Sequence, residues 1–289
     1  MAEAPGRRRH RFLLMLPFSL PPDSPNHYRA PGGTKEESLM NHAVLAPLLA
    51  DLDWDLDPGP LSPHGDWPVE TRAEFLTVGA ARLPRVRAAC EGGRYDAIVL
   101  LGGGDPGFVE SREIARRFRI PVTSNAHAQM HVAGMLGHRF SIVDVAETHN
   151  AQMAELVVRY RMTDRCASIR NIDHPLPRPA HAGRPTLKGE AERHARGESS
   201  TMLEAAVAAA VAAIEEDGAE VILLGCSAAF WLREPLQERL AALGWDAPVL
   251  EGYRCAIEMA KLLVNLGLDA SGLAFPGDPP PRVRRRRLV

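Results

Sequence analysis

Short apolar runs that stop at glycine, proline or serine alternate along this chain with stretches whose apolar residues recur at helical spacing. The clearest is Val221 to Phe230, VILLGCSAAF, where an apolar run ends at Gly225 and delivers Cys226. Such a run reads as a buried parallel strand whose carboxyl end opens into a helix. Open α/β sheets bind their ligands at that edge. Asp96 to Gly107, DAIVLLGGGDPG, has the same form, and setting Asp96 against Glu220 puts Gly102 opposite Cys226.

The other elements follow in order. Phe12 to Leu16 reads as the first strand, closed by the turn Pro17-Phe18-Ser19. A loop over 20–36 precedes a helix over Ser38 to Leu52, which Pro47 is expected to kink or shorten. Trp54 to Leu56 reads as a short strand, and residues 57–68 carry too much proline for a central one. Val69 to Cys90 is helical with a break expected at Pro84. Then come a strand over Ala97 to Leu101, the turn GGGDPG, a helix over Phe108 to Phe118 and a strand over Ile120 to Thr123. Phe140 to Val143 and Cys166 to Ile172 read as strands around a helix over Glu147 to Tyr160. Residues 174–198, rich in proline, histidine and charge, read as a solvated loop, with an active-site lid as the alternative. Thr201 to Glu204 has the form of a capping box opening an alanine-rich helix. After VILLGC come a helix centred on Leu232, Leu236, Leu240 and Leu243, a strand over Pro248 to Leu250, and a last helix over Tyr253 to Leu266. Strands alternating with helices predict an α/β fold with a mostly parallel, doubly wound sheet.

Composition narrows the function classes. At 289 residues, 45% apolar and 24% charged, the chain can bury one large core or two modest ones. A formal net charge of -2 supplies no field for nucleic acid or membrane, so a small molecule is the expected partner. The four cysteines, at 90, 166, 226 and 255, form no CxxC and no Cys/His pair at metal spacing, so neither a zinc site nor a disulfide framework is expected. Reduced thiols and a cytoplasmic location fit. The apolar run after the basic residues of the start is too short for an export signal and ends at Pro17, so it reads as the first strand behind a basic leader.

Candidate chemistry gathers at strand ends. Cys226, at a strand's carboxyl end and before a helix start, would lie near unpaired amides that favour thiolate. Cys90 and Cys166, inside a helix and a strand, read as inert buried thiols, and Cys255 as a minor candidate. GGGDPG lacks the P-loop and dinucleotide patterns. Its Gly102, Gly103 and Gly104 bring backbone N–H groups close to a ligand carboxylate or enolate, with Asp105 beside them. Ser124, Asn125 and His127, past the strand IPVTSN, and Ser19, past the first strand, are candidate substrate contacts. His127 and His131 lack a third ligand for a metal.

These residues carry a resemblance. YDAIVLLGGGDPGF, RFSIVD, CASIRNIDHPL, EVILLGCSA and PVLEGYRCAIEMAKLL, with the loop GPLSPHGDW, resemble the aspartate/glutamate/hydantoin racemase superfamily over residues 11–275, and within it the hydantoin and allantoin racemases. The resemblance implies two pseudo-symmetric Rossmann-like lobes with the active site in the cleft between them. The expected boundaries are a disordered leader over 1–10, lobe 1 over 11–112 plus 248–275, lobe 2 over 113–247, and a disordered Pro/Arg-rich tail over 276–289. It also implies chemistry without cofactor or metal, in which two cysteines exchange a proton with a carbon acid. Cys226 matches the second cysteine, whereas the first position holds Gly102, and the usual asparagine of the first turn gives way to Pro17-Phe18-Ser19. Glycine first and cysteine second is the arrangement of arylmalonate decarboxylase, in which backbone and hydroxyl donors hold an enediolate; Gly102, Gly103, Gly104 and Ser227 match that donor set. The expected activity is therefore one-sided proton transfer by Cys226 on a small carboxylate or cyclic amide, by decarboxylation, isomerisation or elimination. A racemase or epimerase with Asp105, His127 or another nearby group as substitute base is the alternative, and a non-catalytic ligand-binding relative is a third reading. Members of this fold often associate, which leaves a homo-oligomer open.

Overall fold

The computed structural model describes residues 9–27, 33–181, 183–277, 282 and 285. The expected leader over 1–10 and tail over 276–289 lie almost wholly outside the described residues.

Two four-stranded parallel sheets organise the chain, and each uses the same spatial order. Strands β1 (Arg11–Met15), β2 (Asp53–Asp57), β3 (Ala97–Leu100) and β4 (Val122–Ser124) pair in the order β2-β1-β3-β4. Strands β5 (Phe140–Asp144), β6 (Cys166–Asn171), β7 (Val221–Leu224) and β8 (Val249–Leu250) repeat it as β6-β5-β7-β8. β3 and β7, all four of whose residues are buried in each case, are central in their sheets, as continuous apolar runs require. The repeat makes β1 equivalent to β5 and β3 to β7, so the turns holding Gly102 and Cys226 occupy equivalent places.

Strand pairing divides the chain differently from the expected boundaries. β4 lies in the first sheet beside β3, and β8 in the second beside β7, so neither 112/113 nor 247/248 separates the sheets. The reason is that in each half the chain leaves the third strand through a helix and returns to pair the fourth strand beside it.

The helices are α1 (Lys35–Ser38), α2 (His42–Leu49), α3 (Arg72–Glu91), α4 (Phe108–Arg116), α5 (Asn125–Leu136), α6 (Glu147–Arg159), α7 (Leu187–Ala195), α8 (Thr201–Glu215), α9 (Arg233–Ala242) and α10 (Gly252–Asn265). The single helix expected over 38–52 is two, separated at Asn41, whose φ of 59° is left-handed. α3 runs unbroken through Pro84. Pro84 and Ala80 are both exposed, so the carbonyl freed by the missing N–H meets water rather than apolar core. α8 is capped one residue earlier than the sequence suggested: the Ser200 hydroxyl accepts from the Leu203 amide at 3.2 Å, and Glu204 pairs with Arg239 at 2.6 Å. No helix among the described residues is long and apolar enough to cross a membrane.

The stretch 174–198 is ordered rather than a solvated loop. It contains α7 and a short 3-10 turn over Pro179–His181, and it buries Leu176, Leu187 and Glu190. Arg178 reaches the other half of the chain, donating to both Glu74 carboxylate oxygens at 2.7 and 2.9 Å and lying 3.4 Å from Glu70. Burial opposes the Glu74 charge. The Thr71 amide, the Trp67 indole and the Arg178 guanidinium nonetheless hold its carboxyl down at about 2.

Candidate active site

The carboxyl ends of both sheets open on one cavity of about 470 Å³. Pro17 to Leu20 after β1, Gly102 and Gly103 after β3, and Cys226 to Ala228 after β7 line it, together with His149 of α6 and Tyr253 of α10. Much of the remaining wall is apolar, including Phe18, Met40, Leu61, Val69, Phe75 and Leu176. No lysine or arginine lines it among the described residues.

Cys226 heads the 3-10 turn Ser227–Leu232 that follows β7 and is 4% exposed. The expected amides are present: those of Ala228 and Ala229 donate toward the sulfur. They do not produce the expected thiolate. Burial pushes the thiol well above its ordinary value, and the carboxylates of Asp144 and Glu70 push the same way. The direction of the shift therefore favours the protonated thiol. The other three thiols are also raised by burial, to about 11 for Cys90 and Cys166 and about 12 for Cys255.

A labelling prediction follows from that sign. Thiolate is the form that alkylates, and each unit of upward shift lowers its fraction tenfold at a given pH. Iodoacetamide at pH ~8 is expected to modify Cys226 in the folded protein at least ~10-fold more slowly than an unstructured cysteine peptide, with fast labelling only after unfolding. Peptide mapping of a time course reads this. Rapid single-site labelling of folded Cys226 would restore the thiolate reading.

The turn after β3 packs directly on the turn after β7. A Cβ added at Gly103 would overlap the Gly225 carbonyl oxygen and lie 3.0 Å from the Cys226 Cα, so only glycine permits this approach. At Gly102 the backbone has φ 121°, a region L residues rarely adopt, and an added Cβ would press on Pro17 at 3.2 Å. A side chain there is strained, so the missing cysteine is written into the local backbone and not only into the residue type. The amides of Gly102, Gly103 and Gly104 donate no hydrogen bond among the described residues. Those of Gly102 and Gly103 belong to residues that line the cavity.

Of the residues singled out in the sequence, Ser19, Gly102, Gly103, Cys226 and Ser227 line the cavity, whereas Gly104, Asp105, Ser124, Asn125 and His127 do not. Gly104 faces Phe75, whose ring occupies the space a Cβ would need. Asp105 is a buried strut. Its carboxylate accepts from the Ser124 hydroxyl at 2.7 Å, the Ala126 and His127 amides at 3.0 and 2.8 Å, and the Tyr160 hydroxyl at 2.9 Å. These bonds anchor the start of α5 to the glycine turn. Burial pushes the Asp105 carboxyl up while these donors pull it down, so its proton equilibrium is tied to the packing of α5. Asn125 is fully buried beside Gly252. His127 packs against the tilted rings of His131 and Phe108, with centroids 4.1 and 4.8 Å away, and burial, with His131 and Arg112, holds its imidazole down at about 3. Neither Asp105 nor His127 lines the cavity as a substitute base.

The residues the sequence did not single out are Asp144, His149 and Glu70. Asp144 ends β5 and His149 lies in the first turn of α6; both are buried, and His149 Nδ1 sits 2.6 Å from Asp144 Oδ2. Glu70, 1% exposed, accepts from the Thr148 hydroxyl. An acid closing a strand, followed five residues later by a histidine in the next helix, was a usable signal in VDVAETHN.

Comparison with known proteins agrees with this architecture. A family profile described as Asp/Glu/Hydantoin racemase matches residues 68–260, about two thirds of the chain. The chain belongs to the Asp/Glu/hydantoin racemase family. Among curated relatives, it is 30% identical over 181 residues to the hydantoin racemase of Pseudomonas sp. strain NS671, a match covering 62% of each chain. It is 32% identical over 176 residues to the hydantoin racemase of Paenarthrobacter aurescens, covering 61% of this chain and 64% of that one. The match thus spans less than two thirds of these relatives' length. In solved structures, the allantoin racemase from Pseudomonas fluorescens superposes with a TM-score of 0.68 at 24% identity, covering 96% of this chain and 99% of that chain. Unliganded arylmalonate decarboxylase superposes with 0.50 at 14% identity, over 88% and 92%. At these identities the superpositions show a shared fold alone, with two α/β halves of the kind this racemase-family chain has.

Proposed function

We propose that this racemase-family chain is a cofactor-independent enzyme that moves a proton at a carbon next to a carbonyl, on a small carboxylate or cyclic amide with an apolar substituent. The carrying observation is Cys226: a buried, protonated thiol at the strand-end cavity, with a glycine in the equivalent place after β3. Carbanion chemistry here needs a proton donor and a place for negative charge on the carbonyl oxygen. The thiol is the donor. The Gly102 and Gly103 amides and the Ser227 hydroxyl are the candidate holders of the oxyanion, and each well-aimed donor of that kind is worth about 3 to 4 kcal/mol at the transition state.

The apolar wall and the absence of cationic lining side chains among the described residues favour a ring or carboxylate that carries an apolar substituent. A one-sided outcome such as decarboxylation or isomerisation is compatible with one cysteine. Racemisation, favoured by the likeness to hydantoin racemases, needs a second proton-transfer group.

The test is turnover in deuterated water with two probes, optically pure 5-benzylhydantoin and phenylmalonate. Deuterium entering at the reacting carbon is expected with at least one. Loss of optical rotation on the hydantoin marks a racemase, and carbon dioxide release with one-handed label marks a decarboxylase. Ligand binding without exchange on either probe would overturn the enzymatic reading in favour of a non-catalytic relative.

A further inference from the structure

Among the side chains lining this cavity that can exchange protons, His149 and Cys226 follow neighbouring strands of one sheet, β5 and β7. β5 and β7 pair with Val143 beside Leu224, so the residue ending β5, Asp144, lies next to the turn that presents Cys226. A Cβ at Gly225 would sit 2.5 Å from the Asp144 Cγ, so the carboxylate tucks against the backbone immediately before Cys226. Asp144 is fully buried; its Oδ1 accepts from the Val145 amide at 2.8 Å and its Oδ2 faces His149 Nδ1 at 2.6 Å. Among the described residues the side chain that meets it is His149.

This arrangement gives the imidazole a direction. A carboxylate can only accept, so Nδ1 carries a hydrogen, and in the neutral imidazole Nε2 then presents its lone pair. Nε2 makes no hydrogen bond among the described residues, yet His149 lines the cavity beside Cys226. The Phe75 ring, edge-on with centroids 5.4 Å apart, holds the imidazole in place. An oriented imidazole with its free nitrogen and a thiol that keeps its proton therefore share one apolar chamber. That is a base and an acid.

We propose that His149, oriented by Asp144, is the catalytic base of this site and the partner of Cys226, replacing the side chain absent at Gly102. The proposal rests on the carbon-acid reading above. The substrate C–H bond breaks, its proton passes to His149 Nε2, and its electron pair moves into the adjacent carbonyl as an enolate. The Cys226 S–H bond then breaks, its proton goes to the same carbon, and the enolate electrons form the new C–H bond. The imidazolium left at His149 and the thiolate left at Cys226 differ by one proton. Its return from Nε2 to sulfur, directly or through cavity water, restores both groups with no net gain or loss. A substrate of opposite handedness runs the steps in reverse, from the thiolate–imidazolium pair. Asp144 touches no substrate; it is a positioning residue that stabilises the transient imidazolium.

The test uses the full chain with each enantiomer of 5-benzylhydantoin in deuterated water. His149→Gln is expected to slow exchange of the C–H proton at least ~10²-fold, the scale of a lost general base. His149→Gly is expected to be similarly slow and to regain exchange when imidazole is added, a response a merely structural histidine would not give. Cys226→Ala is expected to keep proton wash-out from the enantiomer His149 deprotonates while forming no inverted product. Wild-type exchange in His149→Gln, or a folded His149→Gly that imidazole does not rescue, would overturn the assignment while leaving the carbon-acid reading standing. Absence of exchange in the wild-type protein would instead overturn that reading, and this one with it.

Discussion

Cys226→Ala is expected to lower kcat on a carbon-acid probe by roughly 10² to 10⁴-fold, the range for removing a positioned acid or base. A thiol that is 4% exposed, with carboxylates at Asp144 and Glu70 raising its proton affinity further, stays protonated when the site is empty. In the proposed function it donates to a carbanion, whose proton affinity exceeds that of the thiolate. Alanine removes the proton and the sulfur together. Cys226→Ser is expected to fall nearly as far, because a buried hydroxyl is a weaker acid than a thiol. Neither change threatens the fold: replacing one small buried side chain by a slightly smaller one costs about 1 kcal/mol. Cys255→Ala, in α10 and away from the cavity lining, is expected to keep near-native turnover. Steady-state kinetics beside a melting curve separate the effects, and native kcat in Cys226→Ala would sink the central claim.

Gly103→Ala is the second large effect, and it acts through backbone. The new methyl would overlap the Gly225 carbonyl oxygen and press within 3.0 Å of the Cys226 Cα. Neither atom belongs to a side chain that can swing aside, so the two turns must separate. Overpacking of this kind costs about 1 to 3 kcal/mol, which lowers the melting temperature of a chain this size by several degrees. Activity is expected to suffer more, because the displaced segment carries the thiol of the proposed reaction, and a shift near 1 Å is worth ~10²-fold in rate. Gly92→Ala, whose Cβ would meet only helix carbonyl oxygens at 3.4 and 3.6 Å, is the control and is expected to change stability by less than ~0.5 kcal/mol. Equal melting temperatures and rates for Gly103→Ala and Gly92→Ala would show that the turns are not in contact.

Both predictions depend on the equivalence of the two halves, and much of it was readable in the chain. The runs DAIVLL and EVILL stop at glycine because a strand buried on both faces needs unbroken apolar residues and then a turn that side chains would block. That alternation was enough to place Cys226 and Gly102 at equivalent strand ends. It also explains the misses. Asp105, Ser124 and His127 sit at sheet edges in the sequence pattern, but a strand edge has an inner and an outer side, and periodicity does not say which faces the other sheet. The structure turns Asp105 inward to tie down α5 and packs the half-buried His127 against the Phe108 ring.

The long polar stretch over 174–198 misled for a related reason. Its charges look solvated in one dimension, yet Arg178 finds Glu70 and Glu74 in the other half of the chain. Those partners are more than 100 positions away, at a distance where local pattern carries no information.

By itself the sequence determined the alternating α/β architecture, the two matching glycine turns, the cysteine in one and its absence from the other, because these follow from local periodicity and the stereochemistry of glycine. Only the tertiary structure decided the protonation of Cys226, the inward turn of Asp105 and the pairing of Asp144 with His149 beside the thiol. Those depend on which buried charges end up within a few ångströms of one another across strands β5 and β7, and on how much water the two halves exclude when they close over a common cavity.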